Sequence, residues 1–110
     1  MPYHLSGKHI LVTGATGFIG RHVIDHLHKA GAFIKAFVRD VERAQILPKE
    51  RVRIFQGDLT DHTCLCHAVE DCQVVFHIGG ALTDFKPRSY YERVNVEATD
   101  VLAQAAIKVG

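Results

Sequence analysis

Apolar and polar positions along this chain follow two alternating rhythms. Short, nearly unbroken apolar runs appear at His9–Thr13 (HILVT), Phe33–Arg39 (FIKAFVR), in RVRIFQGD up to Gly57, and at Gln73–Ile78 (QVVFHI). Runs of this length and β-branched content predict buried strands. The intervening segments have a helical period. Ile19, Val23 and Leu27 recur at i, i+4 and i+8, predicting a helix from about Gly17 to Ala30, with Gly31 suited to the left-handed position that ends it. VERAQIL predicts a short helix that must stop before Pro48, because the residue preceding proline is driven out of the α region. TDHTCLCHAVEDC predicts a third helix, with Thr60 or Asp61 as its cap.

The segment from Ser89 opens with Ser-x-x-Glu (Ser89, Glu92), a reciprocal capping box. It continues with Val94, Ala98, Val101, Ala105 and Val109 on one stripe, so the longest helix is expected here. Apolar strands separated one from the next by helices imply a parallel sheet covered on both faces and joined by right-handed crossovers. The expected fold is therefore α/β, an open, doubly wound sheet of about four strands in the order 3-2-1-4.

Composition narrows the function classes more than the fold. The 110 residues suffice for one domain, spanning 1–110, but are few for separate cofactor and substrate lobes. With 47% apolar and 23% charged residues and a net charge of +1, the chain has no electrostatic case for nucleic acid or a membrane surface. It also lacks a run long enough to span a bilayer and the apolar core of a secretory signal. Cys64, Cys66 and Cys72, odd in number and clustered on one predicted helix, suit reduced thiols, so a cytoplasmic location is expected.

The candidate chemistry sits in LVTGATGFIGRHV. Gly14, Gly17 and Gly20 follow a predicted strand and open a helix, at the point where strand order reverses and ligands of such sheets bind. Gly14 would let the chain turn out of the strand, Gly17 would admit a pyrophosphate close to the backbone, and Gly20 would let the helix pack tightly. The helix start adds unpaired N–H groups and a partial positive charge. Arg21 and His22 follow Gly20, where a nucleotide-hydrolase loop would need Lys and Ser or Thr, so that class is disfavoured.

Four motifs in order, TGATGFIG (13–20), GDLTD (57–61), FHIGGA (76–81) and NVEAT (95–99), resemble the extended short-chain dehydrogenase/reductase family. That family comprises NAD(P)-dependent epimerases, dehydratases and reductases of Rossmann-like fold. The resemblance implies that Gly14, Gly17, Phe18, Ile19 and Gly20 hold the pyrophosphate and that Asp58 and Leu59 contact the adenine. It also implies that Gly79, Gly80 and Ala81 line the cofactor path and that Asn95 braces the central strands. The two glycines at 79 and 80 depart from the commoner alanine pair.

The end of the second strand bears on which dinucleotide is bound. NAD-preferring relatives place a carboxylate there; here Val38 is followed by Arg39, whose guanidinium can clamp a 2′-phosphate. NADP preference through Arg39 is expected, aided by Arg43 or Arg21, with NAD the second choice. The opposing reading has Arg39 as a solvated charge paired with Asp40 or Glu42.

The family's Tyr-x-x-x-Lys pair is absent. The residues four places after Tyr3, Tyr90 and Tyr91 are Gly7, Val94 and Asn95. The chain is thus expected to be the cofactor-binding part of a longer enzyme, ending before strand 5 and the catalytic segment, and inactive alone. A non-catalytic dinucleotide sensor or interaction module is the competing class, and a half-site that binds nothing is a third reading. Self-association is expected through an open edge of QVVFHI or through the helix after Ser89.

Other constellations carry less. His22 with His26, and His62 with Cys66, have helical metal-ligand spacing but lack third and fourth ligands, so no metal is expected. His77 reads as a core or motif residue rather than an acid–base catalyst. Cys64 and Cys66 would face different sides of their helix. Thr83, Asp84, Phe85 and Lys86 would touch either substrate or only solvent.

Overall fold

The computed structural model describes residues 5–78. Its elements are β1 (His9–Thr13), α1 (Phe18–Lys29), β2 (Phe33–Val38), a 3-10 helix (Val41–Ile46), β3 (Val52–Gln56), α2 (His62–Val69) and β4 (Val74–His77). All strand pairs are parallel, and the sheet order is β3-β2-β1-β4. This is the doubly wound order expected from the apolar runs. The helix expected from Ser89, together with Gly79, Gly80, Ala81, Asn95 and the 83–86 segment, lies outside the described residues.

Side chains of a strand alternate between its faces, and here that alternation builds two separate cores. Ile10 and Val12 of β1 join Ile34, Ala36 and Val38 of β2 and Ile24 and Leu27 of α1 on one face. Leu11 and Phe37 join Leu65, Ala68 and Val69 of α2 on the other. β1 is central, and Ile10, Leu11, Val12 and Thr13 are fully buried. β3 is an edge among the described strands, and Arg53 and Ile54 are exposed along it.

Three predicted elements differ from what forms. VERAQIL is a 3-10 helix of six residues rather than an α-helix; Leu47, next to Pro48, is already extended (φ −76°, ψ 153°). The third predicted helix stops at Val69 because Glu70 turns out of the helix and Asp71 is left-handed (φ 63°). β4 is trimmed to the four residues that pair with β1. Asp61, one of the two candidate caps, is the one used: its carboxylate accepts from the Cys64 N–H at 3.1 Å. Gly31 takes the left-handed conformation (φ 87°) just after α1.

One tether was not legible in the chain. Arg51, itself left-handed (φ 60°), donates to the His28 carbonyl at 2.6 Å and the Ala32 carbonyl at 3.3 Å. It thereby ties the start of β3 to the last turn of α1, where the His28 carbonyl also accepts from the Gly31 N–H at 3.1 Å, and to the segment that leads into β2.

Candidate dinucleotide site at the carboxyl edge of the sheet

Gly14, Arg39 and Gly57 follow directly on β1, β2 and β3, so the predicted glycine loop, the predicted 2′-phosphate clamp and the Asp58–Leu59 turn all open from the same edge. The Gly57 N–H donates to the Val38 carbonyl at 2.9 Å, which holds the β2 and β3 exits side by side.

The three glycines of the loop have three different physical duties. Gly14 sits at φ 67°, where a side chain would be strained, and turns the chain out of β1. At Gly20 an added Cβ would lie 1.9 Å from the Gly14 carbonyl oxygen and 2.7 Å from its carbon. The tight packing expected at this residue is therefore made mainly against the loop backbone itself. At Gly17 an added Cβ would meet only the Gly14 oxygen, at 3.5 Å, an ordinary contact. Internal packing does not demand glycine there, and the space in front of the backbone is open.

Gly17 is also the N-cap of α1, and no side chain caps that end. The Arg21 N–H is bonded to the Gly17 carbonyl at 2.9 Å. The N–H groups of Phe18, Ile19 and Gly20 have no partner among the described residues. The first turn contains no acidic residue, so the partial positive charge of the helix start is not locally neutralised. Phe18 and Ile19 are 71% and 62% exposed. With Val23, Leu27 and Phe76 they border an apolar hollow of about 360 Å³ beside this end.

At the β3 exit, Asp58 Oδ1 accepts from both the N–H and the hydroxyl of Thr60, each at 2.9 Å, and the Asp58 carbonyl accepts from the Asp61 N–H. This turn fixes the Asp58 carboxylate and delivers Asp61 to the start of α2. Leu59 packs partly against the α2-side core. Gly57 has a packing role that its motif did not reveal: a Cβ there would fall 2.4 Å from Cys64 Sγ and 2.8 Å from the Phe37 ring.

Arg39 is exposed, and among the described residues its guanidinium has no hydrogen-bond or ion-pair partner. The competing pairing with Asp40 is not made, because the Asp40 carboxylate caps the 3-10 helix by accepting from the Glu42 N–H at 3.0 Å. Arg21 borders a different hollow, between α1 and Pro48, together with His22 and Asp25.

One polar pair at this edge escaped the reading of the chain. Thr13 and His77 end β1 and β4, are register partners, and place Thr13 Oγ1 2.7 Å from His77 Nδ1. Thr13 is wholly buried, so the contact gives its hydroxyl a partner. Both residues were visible, but the signal was the register that aligns them. Burial pushes the His77 imidazole below its ordinary pKa of 6.5. The unfolded chain then takes up the proton first as pH falls through about 6.5, so this residue removes stability below that point. In urea titrations at pH 7.5 and 5.5, His77→Asn is expected to lose less stability on acidification than the parent chain. Equal losses would remove His77 from the account.

No cluster of three or more potential metal ligands occurs among the described residues. Cys64 is half-buried and Cys66 exposed, on different sides of α2, and all three cysteines are free. Burial is the main cause that pushes the Cys64 and Cys72 thiols up, which leaves them poor nucleophiles.

A parallel βαβ sheet whose first crossover begins in an uncapped, glycine-lined helix start defines a Rossmann-type nucleotide-binding fold of the short-chain dehydrogenase/reductase kind. More particularly, the chain matches the NmrA-like family over residues 6–110 and belongs to that family. It is 32% identical to the 3 beta-hydroxysteroid dehydrogenase/Delta 5→4-isomerase of Mycobacterium tuberculosis, covering 92% of this chain and 29% of that protein. It is 30% identical to cinnamoyl-CoA reductase 2 of Arabidopsis thaliana, covering 96% and 34%. The chain thus spans about a third of the length of these curated relatives. Among solved structures, a short-chain dehydrogenase/reductase superfamily protein from Agrobacterium tumefaciens with bound NAD superposes with a TM-score of 0.77 at 30% identity. That match covers 93% of this chain and 30% of that one. Pen from Bacillus thuringiensis superposes with a TM-score of 0.86 at 20% identity, covering 96% and 36%, and shows the fold alone.

Proposed function

We propose that this chain is the dinucleotide-binding part of an NAD(P)-dependent oxidoreductase or epimerase of the extended short-chain dehydrogenase/reductase type, and that it prefers NADP. The observation that carries the reading is the start of α1. Unpartnered N–H groups, no acidic side chain, and open space at Gly17 behind the Gly14 turn together fit a diphosphate. Relatives with reductase or dehydrogenase activity and an NAD-bound structural neighbour support it.

In this reading the backbone of Gly14, Gly17, Phe18, Ile19 and Gly20 holds the diphosphate. Asp58 and Leu59 meet the adenine, and Gly79, Gly80 and Ala81 flank the path toward the nicotinamide. When bound, the dinucleotide supplies a hydride acceptor or donor. The chain's own residues bind and orient it, while the Tyr-x-x-x-Lys pair that would move the proton is not in these 110 residues. Substrate turnover by this chain alone is therefore not expected. A cytoplasmic location belongs to this reading, supported by three cysteines that are odd in number, clustered and free. The outer side of β4, which has no partner strand among the described residues, is the proposed surface for self-association.

NADP preference rests on Arg39, whose charge is uncommitted among the described residues. Calorimetric titration should give tighter binding of NADP than of NAD. Arg39→Ala should narrow that ratio by about 10- to 100-fold, the worth of a charge-assisted contact to phosphate. An unchanged ratio would refute the specificity claim, and failure of both dinucleotides to bind would refute the function.

A further inference from the structure

At the opposite end of the sheet, a further hollow of about 500 Å³ opens at the amino ends of β1, β2 and β3, in the size range of small-molecule sites. Five- and six-residue strands separate it from the glycine loop by roughly 13–17 Å, so the two regions do not share a ligand. We propose that this hollow binds a small aryl anion, a flat ring carrying a phosphate or carboxylate group. The proposal is independent of the dinucleotide reading.

Charge is the first argument. The hollow is bordered by Lys35, Lys49, Arg51 and Arg53, with Asp71 as the acidic member of its lining. In a protein of net charge +1 this is a marked local imbalance, and a cleft walled mainly by one sign of charge concentrates counter-ions. Arg51 is offset by Glu50, 2.8 Å away. Lys35 is oriented without being neutralised, because its ammonium donates to two carbonyls, of Ala68 and Glu70, at 3.0 Å each. Lys49 and Arg53 have no hydrogen-bond or ion-pair partner among the described residues.

Strand register is the second argument. Lys35 of β2 is the direct partner of Arg53 on β3, so both side chains leave the same face of the sheet. Like charges in directly opposed positions destabilise a strand pair. Lys35 is held in place by the carbonyls at the end of α2 and by the Phe55 ring, 5.6 Å from its ammonium, but Arg53 opposite it has no partner among the described residues, and an anion seated between the two relieves their repulsion.

A ring platform lies beside these cations. His9 and Phe33 are also register partners, and their rings stack at 5.0 Å with an interplanar angle of 13°. Phe33 is 43% exposed on the same face as Lys35, two residues along the strand. A flat apolar surface beside uncompensated cations suits a ring attached to an anionic group, through stacking and charge-assisted hydrogen bonds together.

The test is an amide NMR titration of the chain with phenyl phosphate, inorganic phosphate and phenol. Phenyl phosphate should bind most tightly of the three and shift the amides of Phe33, Lys35, Arg53 and Asp71. Arg53→Glu, which reverses one wall charge at an exposed position, should weaken it by at least about tenfold. Arg53→Gln should fall between the two, and both variants should melt no lower than the parent. Shifts confined to residues 14–20 would put the ligand at the other end of the sheet and overturn the proposal. Equal affinity for inorganic phosphate, or unchanged affinity in Arg53→Glu, would overturn it as well.

Discussion

Gly20→Ala should cripple the fold, whereas Gly17→Ala should leave it standing and cripple dinucleotide binding. At position 20 the new methyl group would collide with the Gly14 carbonyl, 1.9 Å away, and with the Ala15 Cα at 3.0 Å. Both obstacles are backbone. Gly14 cannot retreat cheaply, since it makes the left-handed turn out of a strand that is fully buried from Ile10 to Thr13. Relief requires α1 to move off the loop, which exposes part of the Ile24 and Leu27 core. Overpacking of this kind costs about 1–3 kcal/mol or more, a large fraction of the roughly 5–15 kcal/mol that holds a domain together.

At position 17 the methyl group meets one oxygen at 3.5 Å and the backbone is ordinary (φ −76°), so the loss of stability should not exceed about 1 kcal/mol, the gap between glycine and alanine at an N-cap. That methyl group would instead occupy the approach to the unpartnered N–H groups. Urea unfolding and NADP calorimetry on the two variants separate these outcomes. A folded Gly17→Ala chain with unimpaired affinity would remove the diphosphate from this loop.

The second large effect is expected at Leu65. This residue of α2 is fully buried and packs in the core shared by Leu11, Phe37, Ala68 and Val69. Truncation to alanine leaves a cavity under a helix of eight residues, too short to hold itself. The expected loss is about 2–5 kcal/mol. Cys66→Ala, one position along on the exposed side, should change stability by no more than about 0.5 kcal/mol. Because Asp61 caps α2 and is linked to the Asp58 turn, Leu65→Ala should also weaken the adenine end of the site. Comparable urea midpoints for the two variants would show that α2 is not anchored through Leu65.

How far the chain could be read differed by feature, for physical reasons. β1, α1 and β2 lie within a residue or so of their predicted limits, since an apolar run and a 3.6-residue period are local properties of sequence. The glycine loop was equally visible, because turn geometry and helix starts depend on near neighbours. The end of α2 was overrun by the prediction: its apolar period continues to Cys72, and the left-handed Asp71 that accompanies its termination has no strong sequence mark. Arg39 was visible as a residue, but its freedom from Asp40 depended on that carboxylate being spent as a helix cap. The basic hollow at the amino ends of the strands was not legible at all. Lys35 and Arg53 are eighteen residues apart and become opposed charges only through the register of β2 on β3.

The sequence by itself therefore determined the parallel α/β class, the strand order and the glycine-lined start of α1, because each follows from hydrophobic period, turn chemistry and crossover handedness acting over short distances. Only the tertiary structure decided which side chains meet across the sheet. It paired Thr13 with His77 and set Lys35 against Arg53. These contacts join residues brought together by strand register and helix docking, and the free energy that selects them is the burial of two whole faces rather than any property of one segment.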